Sequence, residues 1–410
     1  MTAAPAIDFL SAGVLADPFA TYQAALEQGS VHALPGTGIT MVVGFDAVAE
    51  ATSRIDEFSN DFSAVLAGRR SADPEVVAIL ETGWPQRNTL LTADPPEHTR
   101  FRKLVNLAFS MPRVNALESH MRSIVVDLIE GFADKGACEF VADFAIPLPV
   151  QMITEQIGID RTDFATVKRW SDAFADRLGG MISKERELEC AHEVVAFQRA
   201  MKLRIDERRD APRDDLLSHL VNARIDDERP LDDPELLSIL QQLMVAGNET
   251  TTSSLAGGLL QLIRNPDQLA KVRADPKLIG NLVEEVLRTE SPTAGLWRVV
   301  RKDTEIGGVE VKAGTMLMLR FAAANRDPAR FPNPDAFDVT RSNARSHLAF
   351  GRGIHMCVGN MLSRKELAVA FSELITRLDD IAVADGAELV FPPNMLLRGL
   401  SALPITFRRA

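Results

Sequence analysis

Along most of this chain the apolar residues recur every three to four positions, the spacing of helices that bury one face. Residues 17–28 read as a capped helix, and the β-branched run Ile39–Val43 predicts a short strand in a small N-terminal sheet. Between Gly68 and Leu91 the period is lost among Gly83, Trp84, Pro85 and Arg87, which predicts a long irregular loop. Asp94-Pro95-Pro96-Glu97 reads as a helix start, with Asp94 as N-cap, proline at N1 and Glu97 closing a capping box. From Met111 to about Ala223 the pattern is amphipathic helix, broken at Gly136, Pro147, Gly179-Gly180 and Pro212. Leu236–Leu262 is apolar on nearly all sides, hence a buried central helix. Asn265-Pro266 and Asp275-Pro276 each predict a further helix with a cap and an N1 proline. Short β-like runs follow at Thr304–Val311 and Met316–Arg320, and a last helix runs through Arg364, Lys365 and Glu366. The expected fold is mainly α, with a small β part near residues 30–60 and 300–320 and in C-terminal strands.

Composition narrows this picture. The 410 residues hold no Pro/Gly/Ser-rich linker and no repeat, so one domain over residues 1–410 is expected. With 46% apolar and 25% charged residues the chain can bury a sizeable core. The formal net charge of −12 argues against nucleic acid as a partner. Met1–Leu10 has no basic stretch and includes Asp8, so it reads as neither signal peptide nor anchor; with no long apolar run elsewhere, a cytoplasmic protein that avoids membranes is expected. The three cysteines, Cys138, Cys190 and Cys357, lack the spacing of a disulfide framework or a zinc site.

Candidate chemistry gathers in four stretches. Phe350-Gly351-Arg352-Gly353-Ile354-His355-Met356-Cys357-Val358-Gly359 sets one cysteine among three glycines, a tight loop that could press its backbone against a flat group and offer a thiolate to a metal. A lone buried thiol is the plainer alternative. In the central helix, Ala246-Gly247-Asn248-Glu249-Thr250-Thr251-Thr252 is a costly choice, because glycine loses about 1 kcal/mol relative to alanine and threonine hydroxyls compete for backbone carbonyls. Either function or a harmless kink accounts for it. Glu285 and Arg288 share a helix face three apart, and His98 and Arg102 share one four apart.

In this order the stretches resemble the cytochrome P450 family, whose haem-binding loop Phe-Gly-x-Gly-x-His-x-Cys-x-Gly is matched at every fixed position. The resemblance implies haem b between the central helix and the cysteine loop, with Cys357 as iron ligand and Phe350, Gly351, His355, Ala246 and Gly247 against the cofactor. It further implies Glu249 and Thr250 as the oxygen-activating acid and alcohol, glutamate standing where many members have aspartate. His98, Arg102 and Arg298 would hold the haem propionates, and Glu285 with Arg288 would brace the loop before the cysteine. Trp84, Arg87, Leu90, Met244, Val245, Leu296, Trp297, Met395 and Leu396 would lie near the substrate. The segment 164–182 would cover the pocket, or its apolar residues would be core. The reaction implied is monooxygenation of a small or medium hydrophobic molecule, by hydroxylation or O-dealkylation, on a monomer. Electrons would come from NAD(P)H through a separate reductase and ferredoxin, docked by Arg100, Lys103, Arg113, Arg345, Arg352, Arg364 and Lys365. A peroxide-driven peroxygenase is the rival enzyme, disfavoured by Glu249-Thr250; a haem-based sensor is the rival outside catalysis, disfavoured because no output domain is visible.

Overall fold

β-Branched and apolar residues alternate with tight turns at both ends of the chain, and there the strands form. They are β1 (Val31–Leu34), β2 (Ile39–Val42), β3 (Phe58–Ser59), β4 (Ala137–Glu139), β5 (Leu296–Val300), β6 (Thr304–Ile306), β7 (Val309–Val311), β8 (Met316–Leu319), β9 (Leu378–Val383) and β10 (Pro404–Arg409). A computed structural model describes residues 7–62, 73–159, 164–179, 182–225 and 228–410; it is mainly α with this small β part, as the periodicity predicts. One five-stranded sheet runs β1-β2-β8-β5-β3, with β2 and β8 parallel and its other pairs antiparallel. Its core packs Val42, Phe45, Phe58, Leu317, Leu319 and Phe331. The Thr304–Val311 run is a hairpin, β6–β7, turned at Gly307-Gly308, where φ is +53° and +80°.

The chain divides into two compact units, neither continuous in sequence. One takes the chain up to Ser59, Glu118–Leu148 and Thr250–Ala410; the other takes Asn60–Leu117 and Pro149–Glu249. The central helix, Asp233–Arg264, runs from the second into the first. Gly258 on this helix lets its neighbours close in: an added Cβ would stand 2.5 Å from the Phe371 ring and 2.9 Å from Val286.

Local signals misplace some boundaries. The helix after Asp94 spans Glu97–Ala108 with Pro96 at its cap and no side-chain cap bond. A carboxylate oxygen of Asp94 accepts the Asn60 N–H at 3.0 Å. Asn265 likewise does not cap the helix Pro266–Ala274; its side-chain amide donates to Gln261 O, closing the helix before it. The expected loop at 68–91 holds a helix, Pro74–Leu80, started by the Asp73 side chain; residues 68–72 lie outside the described residues. In the expected pocket cover, Phe164–Gly179 is one helix that buries Val167, Trp170, Ala173 and Phe174, with Trp170 and Phe174 edge-on to Phe197. Gly180 and Met181 of that segment are outside the described residues.

In the first unit, Glu285 and Arg288 sit on the helix Ile279–Glu290 with fully buried side chains, in a two-point pair at 2.8 Å. Burial pushes the Arg288 pKa down, while Glu285 pulls it back up. Arg288 donates to the carbonyls of Asn325, Pro334 and Ala336. The same carboxylate accepts Arg341 Nε and the Asp338 N–H, both at 3.0 Å, and Arg341 binds the carbonyls of Pro332, Asn333 and Ala336. One carboxylate thus orients two guanidiniums that hold a non-repetitive segment by its backbone. Removing one partner strands a buried charge. We expect Glu285→Ala and Arg288→Ala each to lower unfolding free energy by about 3–5 kcal/mol, read as a shifted urea midpoint; a shift below about 1 kcal/mol, the scale of an exposed pair, would contradict the placement.

Candidate functional site

The site residues of the first unit centre on the cysteine loop. Gly351 and Gly353 adopt φ of +66° and +74°, where side chains are strained, and a Cβ on Gly353 would meet Thr52 O at 2.6 Å. Gly359 differs: at φ −83° it caps the helix Asn360–Arg377, and a Cβ there would stand 4.0 Å from Cys357 Sγ. Cys357 is half-exposed near that helix N-terminus, where the backbone dipoles favour an anion. Its N–H donates to Phe350 O at 2.8 Å and its carbonyl accepts from Asn360 Nδ2 at 2.7 Å. Both backbone groups are committed.

Thr250, Thr251 and Thr252 have separate tasks. Thr252 Oγ1 donates to Ala145 O at 3.0 Å, and Thr251 hydrogen-bonds the buried Glu366. These two are structural, so only part of the cost read from the sequence is left for chemistry. Thr250 is half-exposed and its carbonyl accepts from Ser254 Oγ at 2.8 Å. Arg298 is buried on β5 with Nη1 donating to Trp297 O. Successive strand residues face opposite ways, so Leu296 and Trp297 cannot line one surface; Leu296 packs on the sheet core and Trp297 is buried. Leu396 is buried and Met395 half-buried, in a loop held where Ala294 N–H meets Leu396 O.

In the second unit, His98 is buried on the helix Glu97–Ala108 with Arg102 one turn on. Burial first, and then the Arg102 charge, push the His98 pKa down to about 4, so the imidazole is neutral at neutral pH and keeps one N–H to donate. On the central helix Ala246 is exposed and Val245, Gly247 and Glu249 are half-exposed, while Met244, nearly opposite Ala246, is fully buried. Met244 therefore turns away from the accessible face. Burial raises the Glu249 pKa; Lys168 opposes it and Asp172 and Asp176 add to it.

Three polar side chains that the sequence reading passed over fix the segment 84–91. Gln198 accepts the Trp84 N–H at 2.9 Å and donates to its carbonyl at 3.0 Å. Ser238 Oγ accepts the Arg87 N–H at 3.0 Å, and Gln242 accepts the Leu91 N–H while donating to Thr89 Oγ1. Trp84 and Leu90 are half-buried and the Arg87 side chain is exposed. The available signal was the i, i+4 pair Ser238 and Gln242, polar positions in an otherwise apolar helix. The expected docking cations are mostly spent on internal pairs: Arg100 on Glu235, Lys103 on Glu228, Arg113 on Asp214, Arg364 on Glu284 and Lys365 on Glu118.

These residues fit a haem. An exposed alanine in the middle of a 32-residue helix leaves a face open to a group, and a Cβ on Gly247 meets nothing within 4 Å. A single half-exposed thiol suits a metal whose other ligands come with a macrocycle.

The family model described as cytochrome P450 matches residues 162–394. The cytochrome P450 monooxygenase PikC of Streptomyces venezuelae is 36% identical over 96% of this chain and 92% of its own length. A steroid C26-monooxygenase of Mycobacterium tuberculosis is 35% identical over 90% of this chain and 95% of its own. Among solved structures, cytochrome P450 CYP109Q5 from Chondromyces apiculatus aligns with a TM-score of 0.85 at 34% identity, covering 98% of this chain and 97% of that one.

Glu366 adds a pH dependence. Fully buried on the helix after Cys357, it has its pKa pushed up by burial to about 8, against the hydrogen bond from Thr251. Between its ordinary value of 4.5 and about 8 the folded carboxyl keeps a proton that the unfolded one has lost. Stability must therefore fall with rising pH across this window, by up to about 1.4 kcal/mol per pH unit. Glu366→Gln should remove this slope, so that its advantage over wild type in urea unfolding grows from pH 5 to pH 8. An advantage independent of pH would mean that Glu366 is charged in the folded protein.

Proposed function

The chain belongs to the cytochrome P450 monooxygenase family, haem-dependent oxidoreductases that incorporate oxygen, and from that premise we propose that Cys357 is the axial ligand of haem b and that residues 1–410 act as one monooxygenase domain. The observation that carries the reading is the cysteine loop itself, with two left-handed glycines and with both backbone groups of the half-exposed Cys357 tied down. When bound, a thiolate-ligated haem supplies oxygen activation, the thiolate favouring O–O cleavage. His98, Arg102 and Arg298 hold the propionates, His98 as a hydrogen-bond donor. Phe350, Gly351, His355, Ala246 and Gly247 line the cofactor.

Glu249, with its raised pKa, binds and releases protons nearer to neutrality than an ordinary carboxyl does. The Thr250 hydroxyl passes them inward. The substrate is a small or medium hydrophobic molecule, hydroxylated or O-dealkylated, and similarity to a steroid C26-monooxygenase supports an apolar substrate class. Trp84, Leu90, Val245, Leu296 and Met395 are the residues of the expected set that are neither fully buried nor fully exposed, and of these Leu296 packs on the sheet core. Electrons come from NAD(P)H through a reductase and a ferredoxin. Arg352, Ile354 and Met356, all exposed on the cysteine loop, offer a small basic and apolar docking patch. Among the described residues no helix is long and apolar enough to cross a membrane, and we assign the enzyme to the cytoplasm, as a monomer.

Two measurements test this reading. Reduced holoprotein under carbon monoxide should show the red-shifted Soret band of a thiolate complex, and Cys357→Ser should abolish it; persistence of the band in the variant refutes the ligand. Thr250→Ala should keep haem and substrate binding but lower product formed per NADH consumed by roughly tenfold or more, a loss within the range of general acid–base effects, with peroxide making up the difference. Unchanged coupling would remove Thr250 from the proton route.

A further inference from the structure

Arg364 lies one helical turn beyond Asn360 on the helix that follows Cys357. Its Nη1 donates to Asn360 Oδ1 at 2.9 Å, and Asn360 Nδ2 donates to the Cys357 carbonyl at 2.7 Å. The central carbon of the same guanidinium lies over the Phe350 ring, 4.4 Å from its centre, and Phe350 O accepts the Cys357 N–H. Both backbone hydrogen-bonding groups of the cysteine therefore end on residues that rest against one guanidinium.

That guanidinium is in turn fixed by a buried carboxylate. Glu284, on the helix Ile279–Glu290, accepts Arg364 Nε at 2.8 Å and Nη2 at 3.1 Å, the two-point geometry that sets direction as well as distance. Its second oxygen also accepts from His347 Nε2 at 3.0 Å. His347 Nδ1 accepts the Ala349 N–H, so Nε2 carries the ring proton and donates to Glu284. Against the upward push of burial, the bonds from His347 and Arg364 bring the Glu284 pKa down to about 2, so the carboxylate stays charged throughout the working range. All three nitrogens of the Arg364 guanidinium are hydrogen-bonded, and its side chain is only 20% exposed. Arg345, 76% exposed and 3.8 Å from Glu284, is the contrasting case of a solvated cation at the same carboxylate.

We propose that Glu284 and Arg364 form a positioning pair for Cys357, fixing the direction in which its sulfur is presented; this rests on the reading of Cys357 as haem ligand. An arginine is required, because the planar fork engages Glu284 with two nitrogens and Asn360 with a third while it lies over the Phe350 ring. A lysine would keep the charge and lose these contacts. That difference separates positioning from electrostatic docking.

The test uses reduced holoenzyme under carbon monoxide and follows the lifetime of the thiolate-type Soret band, with haem content and circular dichroism measured alongside. Loss of a partner that orients a metal ligand typically costs roughly 10–100-fold, so Arg364→Gln and Arg364→Lys should both shorten the lifetime at least about tenfold with haem still bound. The double variant with Glu284→Gln should be no worse than the single, and Arg345→Gln should match wild type. If Arg364→Gln does not fold, Glu284→Gln, which is isosteric, and Asn360→Ala, which cuts only the link to the Cys357 carbonyl, must show the same shortening. Band lifetimes equal to wild type in Arg364→Lys and Glu284→Gln overturn the pair. A wild-type protein with no thiolate band at all overturns instead the reading of Cys357, and the pair's role with it.

Discussion

The first unit depends on the Glu285 carboxylate, an anion with no exposed side-chain surface that two arginines share. The segment 325–341 has little regular structure, so its carbonyls need donors that helices and sheets would otherwise supply. Arg288 and Arg341 provide them, and each arginine would be prohibitively charged in that place without the glutamate. Asn325 extends the arrangement toward the cysteine loop: its amide donates to Ser291 Oγ and its carbonyl oxygen accepts the Leu348 N–H at 2.6 Å. A rigid approach to Cys357 is therefore built from buried charge and backbone carbonyls rather than from secondary structure.

The central helix solves a different problem on the same principle of committed polar groups. Its sequence at 246–252 breaks the rules for a buried helix, and the structure divides the breakage. Thr251 and Thr252 satisfy Glu366 and the Ala145 carbonyl, while Ala246 and Gly247 leave a face uncovered. Glu249 and Thr250 are what remains, a carboxyl raised by burial beside a half-exposed hydroxyl. Local cost in a sequence marks a place where something non-local is gained, and here part of that gain is structural.

What could be read from the sequence follows from the range of the interactions. The helices, the strands β2 and β8 and the cysteine loop were legible because periodicity, β-branching and glycine spacing act over a few residues. The polar partners were not: Glu284 meets Arg364 eighty positions away, and Gln198 reaches back to Trp84 across 114. Neither has a local signature. The same holds for cations of the expected docking patch such as Arg100 and Lys365, whose acidic partners Glu235 and Glu118 lie far off in sequence. Neighbours on a helix differ by 100°, so Met244, two residues from Ala246, lies on the nearly opposite side, where it is buried.

The helix Ile279–Glu290 shows why these long-range pairs matter together. Glu284, Glu285 and Glu290 are all buried on it, and each reaches a different part of the first unit. Glu284 holds Arg364 on the helix after the cysteine, Glu285 holds the 325–341 segment, and Glu290 meets Arg398 at 3.2 Å in the C-terminal loop that carries Met395 and Leu396. The Arg398 guanidinium also lies over the rings of Phe19 and Phe391, and an added Cβ on Gly257 would lie 2.6 Å from the Glu290 carboxylate, so there is no slack at that end. Successive residues on a helix point 100° apart at a fixed rise. Three carboxylates on one such frame hold the helix after Cys357, the segment 325–341 and the C-terminal loop in a fixed mutual register. A change at any one of them is then felt as a displacement against a common frame, and the accuracy of the cysteine's placement is a property of this helix as much as of the loop.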